Sequence, residues 1–278
     1  MAAKPLQGQV SLVTGASRGI GRAVAIALCD AGSAVVLGAR SLGQLEEVAR
    51  TLRDRGGDAL VTHLDVTDDT SVRACVKAAL DEFGQIDVLV NNAGSNNGGD
   101  DGAIGPLWEI NPDAWWTDVE VNLRGTFLCT HAVLSNMVSR GTGRIVNIVS
   151  LAALTPWPYD TAYGCSKAAV IRLTDSIAAE ARQHGVYAFA LSPGSVDTDL
   201  RSGALDGAAG RAWLGQYNVS PKFVRPELPA EAVVFLVSGR ADGLTGRVLS
   251  VDWDLPALAE RATDIAERDV LQLRFAAD

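Results

Sequence analysis

The sequence predicts a three-layer, doubly wound α/β fold around a seven-stranded parallel sheet. Short runs rich in Val, Ile and Leu alternate with longer amphipathic stretches as far as Ser250, the mark of βαβ units. The first strand-to-helix junction is glycine-rich, Thr14-Gly15-Ala16-Ser17-Arg18-Gly19-Ile20-Gly21. No linker or repeat interrupts the alternation, so residues 1–278 read as a single domain.

Strands are expected at Val10–Val13, Ala34–Leu37, Ala59–Thr62, Val88–Val90, Arg144–Val149, Tyr187–Leu191 and Arg247–Ser250. Helices are expected near Gly19–Ala31, Leu42–Asp54, Asp69–Phe83, Pro112–Val138, Ala162–His184 and Pro229–Ser238. Asn111-Pro112-Asp113 has the form of an N-cap followed by proline in the first turn. Asp68-Asp69 and Pro229-Ala230-Glu231 mark other helix starts. Asp199–Arg225, rich in Gly, Ala and Ser, breaks the rhythm and reads as a lid over a cleft. Beyond residue 253 the chain reads as an extension. There Leu258, Ala262, Ile265 and Leu273 recur at near-helical intervals, which predicts an extra carboxyl-terminal helix over Pro256–Arg274. That helix is expected to dock on protein, either over the active-site mouth or across a subunit boundary, the second being favoured because the lid role has a candidate in Asp199–Arg225.

Composition narrows the function. Hydrophobic residues make up 47% of the chain, enough for a sizeable core. No apolar run reaches the length of a membrane span, and Met1–Pro5 lacks the apolar region of a signal peptide, so a cytoplasmic location is expected. Cys29, Cys75, Cys129 and Cys165 are widely separated, as are His63, His131 and His184, which argues against a disulfide framework or a metal site. A net charge of −9 opposes an extended nucleic-acid surface.

Two constellations carry chemistry. Gly15, Gly19 and Gly21 lie between a strand and a helix, where glycine permits a tight turn and the helix amino terminus favours a pyrophosphate. Tyr163 and Lys167 stand four residues apart in a predicted helix and therefore share a face. A tyrosine ordinarily has a pKa of about 10. A neighbouring ammonium is expected to lower it and fit the phenol for proton transfer. Ser150, at the end of the fifth strand, is placed to donate to a substrate oxygen. Each has an ordinary alternative: a helix surface pair, a strand-end turn, a plain glycine turn.

The glycine spacing, Asn91-Asn92-Ala93-Gly94 after the fourth strand, and Tyr163-Gly164-Cys165-Ser166-Lys167 together resemble the short-chain dehydrogenases/reductases over nearly the whole chain. The resemblance implies a Rossmann fold, a nicotinamide cofactor and oxidoreductase activity on a C=O or CH–OH group. It adds Asn122 to Ser150, Tyr163 and Lys167 as a catalytic set, with a water on the Asn122 carbonyl linking Lys167 to solvent. It assigns the turn residues Gly15, Ser17, Arg18, Gly19, Ile20 and Gly21 to the pyrophosphate, and Asn92, Ala93 and Gly94 to the adenosine ribose. Asp65 and Val66, after the third strand, are assigned to the adenine, although a helix-cap role for Asp65 stays open. Pro193, Gly194, Val196 and Thr198 are implied to hold the nicotinamide end, with Tyr163 and Lys167 beside the nicotinamide ribose.

The end of the second strand, Leu37-Gly38-Ala39-Arg40-Ser41, lacks the carboxylate with which NAD users hold a 2′-hydroxyl. Arg40 and Arg18 are suited instead to a 2′-phosphate, so NADP(H) is favoured over NAD(H). Asn96, Leu151, Trp157 and Trp213 are expected to face a small-molecule carbonyl or alcohol substrate. A homo-oligomer, a tetramer or else a dimer, is expected from the helices around Pro112–Val138 and Ala162–His184. The leading expectation is an NADP(H)-dependent carbonyl reductase or secondary-alcohol dehydrogenase. The rivals are a nucleotide-sugar epimerase or dehydratase and a non-catalytic cofactor sensor.

Overall fold

In the parallel sheet every strand carries its functional side chains to the same end. The computed structural model describes residues 4–96, 103–156, 158–196 and 223–273. Its strands β1 (Val10–Thr14), β2 (Ala34–Ala39), β3 (Ala59–His63), β4 (Val88–Asn91), β5 (Gly143–Ile148), β6 (Val186–Ser192) and β9 (Val248–Ser250) form one seven-stranded sheet in the order β3-β2-β1-β4-β5-β6-β9. All neighbours are parallel, and Val13 pairs with Leu37 on one side and Val90 on the other. Strand order reverses between β1 and β4, the position at which such sheets open a ligand crevice. A short parallel ladder, β7 (Ser195–Val196) with β8 (Phe223–Val224), lies beyond β6. Of the predicted lid, 199–222 falls outside the described residues.

Strand side chains alternate between two helical layers, as the two-residue period of a strand requires. Val13, Leu37, Val90 and Phe189 pack with α1 (Gly19–Asp30), α2 (Leu42–Asp54) and α7 (Glu227–Val237). Leu12, Val36, Leu89 and Ile145 face α3 (Asp69–Phe83), α5 (Gly125–Arg140) and part of α6 (Thr161–Ala181). Asp68 caps α3 by accepting from Thr70 N–H, and Asn111 caps α4 (Pro112–Val119) by accepting from Asp113 N–H.

Two regions depart from the sequence expectation. The helix expected over Pro112–Val138 is interrupted by a π turn, Glu120–Arg124, between α4 and α5. Two contacts account for the offset. The Asn122 side chain is tied to the backbone of Ser95, and a Cβ on Gly125 would stand 2.6 Å from Val66 Cγ2. The Asn122 carbonyl also accepts from the Thr126 hydroxyl, at 2.7 Å.

The tail is two short helices, α8 (Leu255–Glu260) and α9 (Ala262–Glu267), not one helix to Arg274. Left-handed Asp269 and Leu271 (φ 47° and 61°) turn the chain onto the open edge of β9, where Val248 N–H donates to Leu271 O at 2.8 Å. An edge strand leaves N–H groups unpaired, and satisfying one here prevails over continuing the helix. Arg247, only 7% exposed, donates to Val270 O and to the Asp269 carboxylate, both at 3.2 Å. Arg172 reaches Leu273 O. The described tail thus packs on its own chain, burying Leu255 and Ile265. Truncation after Asp254 is expected to lower stability by at least about 3 kcal/mol, from roughly 1.5–3 kcal/mol for each of the two buried large side chains, with the loss of the Arg247 bonds to Asp269 and Val270 adding to it. Urea unfolding of the truncated and full-length chains measures the difference.

Candidate active site

The site begins where β1 and β4 part. Thr14 ends β1, and its hydroxyl accepts from the N–H groups of Asn92 (3.0 Å) and Ala93 (2.9 Å). The Asn92 amide returns the bond, donating to Thr14 O at 2.9 Å and Gly15 O at 3.2 Å. Gly15 turns at φ 65°, and a Cβ there would stand 3.0 Å from Ala93 Cα. At Gly21 a Cβ would stand 2.2 Å from Gly15 O, so only glycine lets α1 approach this closely.

Beyond this turn is a cleft of about 830 Å³. Gly15, Ser17, Arg18, Gly19 and Ile20 line one side, Arg40, Asp65 and Val66 a second, and Asn92, Ala93 and Gly94 a third. Gly21 backs the turn. The sequence reading passed over Gln44, Thr67, Thr117 and Glu120, which also line it. Asp65 accepts from the Thr67 hydroxyl (2.7 Å) and N–H (3.0 Å), and Asp68 rather than Asp65 caps α3. The Thr67 hydroxyl bond holds the Asp65 carboxyl below its ordinary range against the cost of burial, with Arg40 nearby contributing. At the end of β2, Ala39 borders the cleft where an acid would stand. The turn of glycines and backbone amides at the start of α1 fits the pyrophosphate of a dinucleotide, and Arg18 and Arg40 are exposed at the cleft.

Asn122, Ser150, Tyr163 and Lys167 converge at the far side of Gly94, whose added Cβ would stand 3.6 Å from Lys167 Nζ and 3.2 Å from Asn122 Oδ1. Asn122 Oδ1 accepts from Ser95 N–H (2.9 Å), and its amide donates to Ser95 O (2.8 Å) and Ser166 Oγ (3.1 Å). Ser166 in turn donates to Tyr163 O at 2.8 Å. Lys167 is buried, donates to Ile148 O at 2.9 Å, and stands 5.6 Å from the Tyr163 ring centre. The Ser150 hydroxyl lies close enough to Tyr163 to lower its pKa and accepts from Ala152 N–H at 3.2 Å.

The helix bearing Tyr163 is anchored by a polar chain the sequence reading missed. Asn91 donates to Asn147 Oδ1 (2.8 Å) and Thr130 Oγ1 (3.0 Å), and Asn147 donates to Thr174 Oγ1 (2.9 Å). Four buried side chains thereby pin α5 and α6 to β4 and β5. In sequence they are isolated polar residues in apolar runs, a signal whose partners only the fold supplies.

Burial dominates the electrostatics of the chain's own groups here. Tyr163 is pushed up to about 12, by burial first and then by the carboxylate of Asp160, against the Ser150 hydrogen bond, with Asp118 adding to the rise. Lys167 is pushed down to about 8 by burial. The protein's own groups therefore favour the neutral phenol.

The remaining expected residues are scattered. Pro193, Gly194 and Val196 follow β6, with Val196 in the short β7–β8 ladder. Leu151 opens an exposed single-turn 3₁₀ helix. The Asn96 amide donates to Asp160 at 3.0 Å, and its buried Oδ1 makes no hydrogen bond among the described residues. Trp157, Thr198 and Trp213 lie outside the described residues.

A family model described as short chain dehydrogenase matches residues 9–208. The chain belongs to the short-chain dehydrogenase family. Among relatives of this dehydrogenase, the short chain dehydrogenase mpl6 of Monascus purpureus is 37% identical over 96% of this chain and 89% of its own. The cis-4-hydroxycyclohexanecarboxylate dehydrogenase of Sinomonas cyclohexanicum is 39% identical over 88% of this chain and 95% of its own. A solved gluconate 5-dehydrogenase from Burkholderia cenocepacia, in complex with NADP and tartrate, superposes with a TM-score of 0.79 at 34% identity, covering 92% of this chain and 98% of that one. Among the described residues no helix is long and apolar enough to cross a membrane, and no cluster of metal-binding side chains occurs. Gly21→Ala is expected to destabilise this dehydrogenase by about 1–3 kcal/mol, the usual cost of overpacking, because the obstructing atom is backbone. Chemical denaturation checks it.

Proposed function

We propose that this short-chain dehydrogenase is an NADP(H)-dependent carbonyl reductase and secondary-alcohol dehydrogenase with Tyr163 as general acid and base. One observation carries the proposal: Tyr163 stands beside Ser150, with the Lys167 ammonium 5.6 Å from its ring centre, next to the cleft that the glycine turn opens. A bound nicotinamide supplies or accepts the hydride. Ser150 orients the substrate oxygen while the neutral Tyr163 donates the proton that a reduced carbonyl requires. Lys167, held by Ile148 O, places its positive charge where it stabilises a phenolate once the proton has left. Asn122 fixes the π turn against Ser95 and so sets the wall behind Lys167.

The cofactor preference rests on Arg18 and Arg40 at one cleft and on Ala39 at the end of β2. The NADP-bound gluconate 5-dehydrogenase relative is consistent with it. Substrates to try follow from the relatives' names: 4-oxocyclohexanecarboxylate, a keto-gluconate and a 3-oxoacyl thioester.

Tyr163→Phe is expected to lower turnover on any active member of that panel by about 10²–10⁴-fold, the range for a lost general acid, with NADPH affinity nearly unchanged. Lys167→Ala is expected to impair both turnover and affinity. Steady-state kinetics with fluorescence titration of NADPH separates the two, and a Tyr163→Phe enzyme keeping more than a few per cent of activity contradicts the role. Arg40→Asp is expected to shift the NADPH-to-NADH ratio of kcat/KM toward NADH by about 10–100-fold, the value of one charge-assisted bond. Equal efficiency with both cofactors in the unmodified enzyme contradicts the preference.

A further inference from the structure

Two buried carboxylates stand beside Tyr163, and the mechanism above uses neither. Asp118, in α4, is wholly buried, and its Oδ1 accepts from the Ser95 hydroxyl at 2.6 Å. Asp160, at the N-cap of α6 three residues before Tyr163, is 2% exposed and accepts from the Asn96 amide at 3.0 Å. Asp160 makes no capping bond with its side chain, so helix initiation does not explain it. Burying a carboxylate is costly unless it is hydrogen-bonded, and two donors from adjacent residues of one loop serve this pair.

The same loop reaches the catalytic set. Ser95 holds Asn122 through both its N–H and its carbonyl, Asn122 donates to Ser166, and Ser166 donates to Tyr163 O. The hydrogen bonds therefore run unbroken from Asp118 through Ser95, Asn122 and Ser166 to the Tyr163 backbone. Among the described residues three charged groups stand around Tyr163: Lys167 and Asp160 on its own helix and Asp118 from α4; Ser150, after β5, is uncharged.

We propose that Asp118 and Asp160 are positioning residues: through Ser95 and Asn96 they lock the loop after β4 onto the start of α6, and their charges keep Tyr163 in its proton-donor form. This rests on the reading of Tyr163 as the general acid. The sign follows from electrostatics. A nearby negative charge disfavours the phenolate, so removing one favours it and lowers the pH at which the proton leaves. This agrees with the rise that both carboxylates impose on Tyr163.

Asp118→Asn and Asp160→Asn each keep an oxygen able to accept the existing bond while removing the charge. With saturating NADP⁺, the tyrosinate absorbance that is absent in Tyr163→Phe is titrated in the unmodified enzyme and in each variant. Each substitution is expected to move that titration to lower pH by about 0.5–1 unit, and the pair to move it further. Circular dichroism and the NADP⁺ Kd establish that each variant is folded. Asp160→Asn, which breaks no capping bond, provides the test if Asp118→Asn does not fold. A folded variant titrating at the unmodified pH overturns the proposal. The titration is read without turnover, so its outcome is independent of the substrate. Full activity in Tyr163→Phe would defeat the general-acid reading instead.

Discussion

The Asn92 side chain closes the gap that opens where β1 and β4 part, and the rest of the site depends on that closure. At the switch point the first strand leads into the glycine turn and the fourth into a loop, so backbone groups of both lose their sheet partners. Buried backbone groups left unpaired cost as much as a lost hydrogen bond. Thr14 and Asn92 satisfy them reciprocally, each pairing with the other's backbone. This holds Gly15 against Ala93 and leaves Gly21 no space for a Cβ. It also aims the chain from Gly94 onward at Asn122, so the phosphate turn and the proton-transfer residues share one fixed reference.

The π turn is the second consequence. A regular helix from Pro112 would carry Asn122 past Ser95, whereas the π turn keeps its side chain on the Ser95 peptide. The distortion exchanges regular helical bonding for two side chain–backbone bonds and a Thr126 hydroxyl bond. Such turns inside helices concentrate at functional sites, where placing one side chain outweighs local regularity.

Burial in this site works against the charged forms of both members of the tyrosine–lysine pair. The lysine is brought down to about 8 and the tyrosine up to about 12, so two values that ordinarily lie close together are driven apart from both sides. Spacing along a helix establishes that the phenol and the ammonium are neighbours. It does not establish which protonation state the surroundings favour, because that depends first on burial, which the assembled fold imposes, and on Ser150 and Asp118, which arrive from other elements.

Alternation of apolar runs determined the layers, the seven parallel strands and the order of motifs, since burial on two faces imposes a pattern that local sequence carries. The spacing of Tyr163 and Lys167 and the glycine turn were equally local, and so was the Asn111 cap. Tertiary structure decided what involves partners distant in the chain. The Asn91–Asn147–Thr174 chain, the π turn at Asn122 and the placement of Asp118 beside Tyr163 each join residues from different elements. The tail shows the same division: periodicity marked Leu258 and Ile265 as an apolar face, but the helix stops short and the Leu271 carbonyl takes the Val248 N–H at the open edge of β9. Local sequence encodes periodicity and turn chemistry, whereas a hydrogen-bond donor left open by the fold has no signature until its neighbours are assembled.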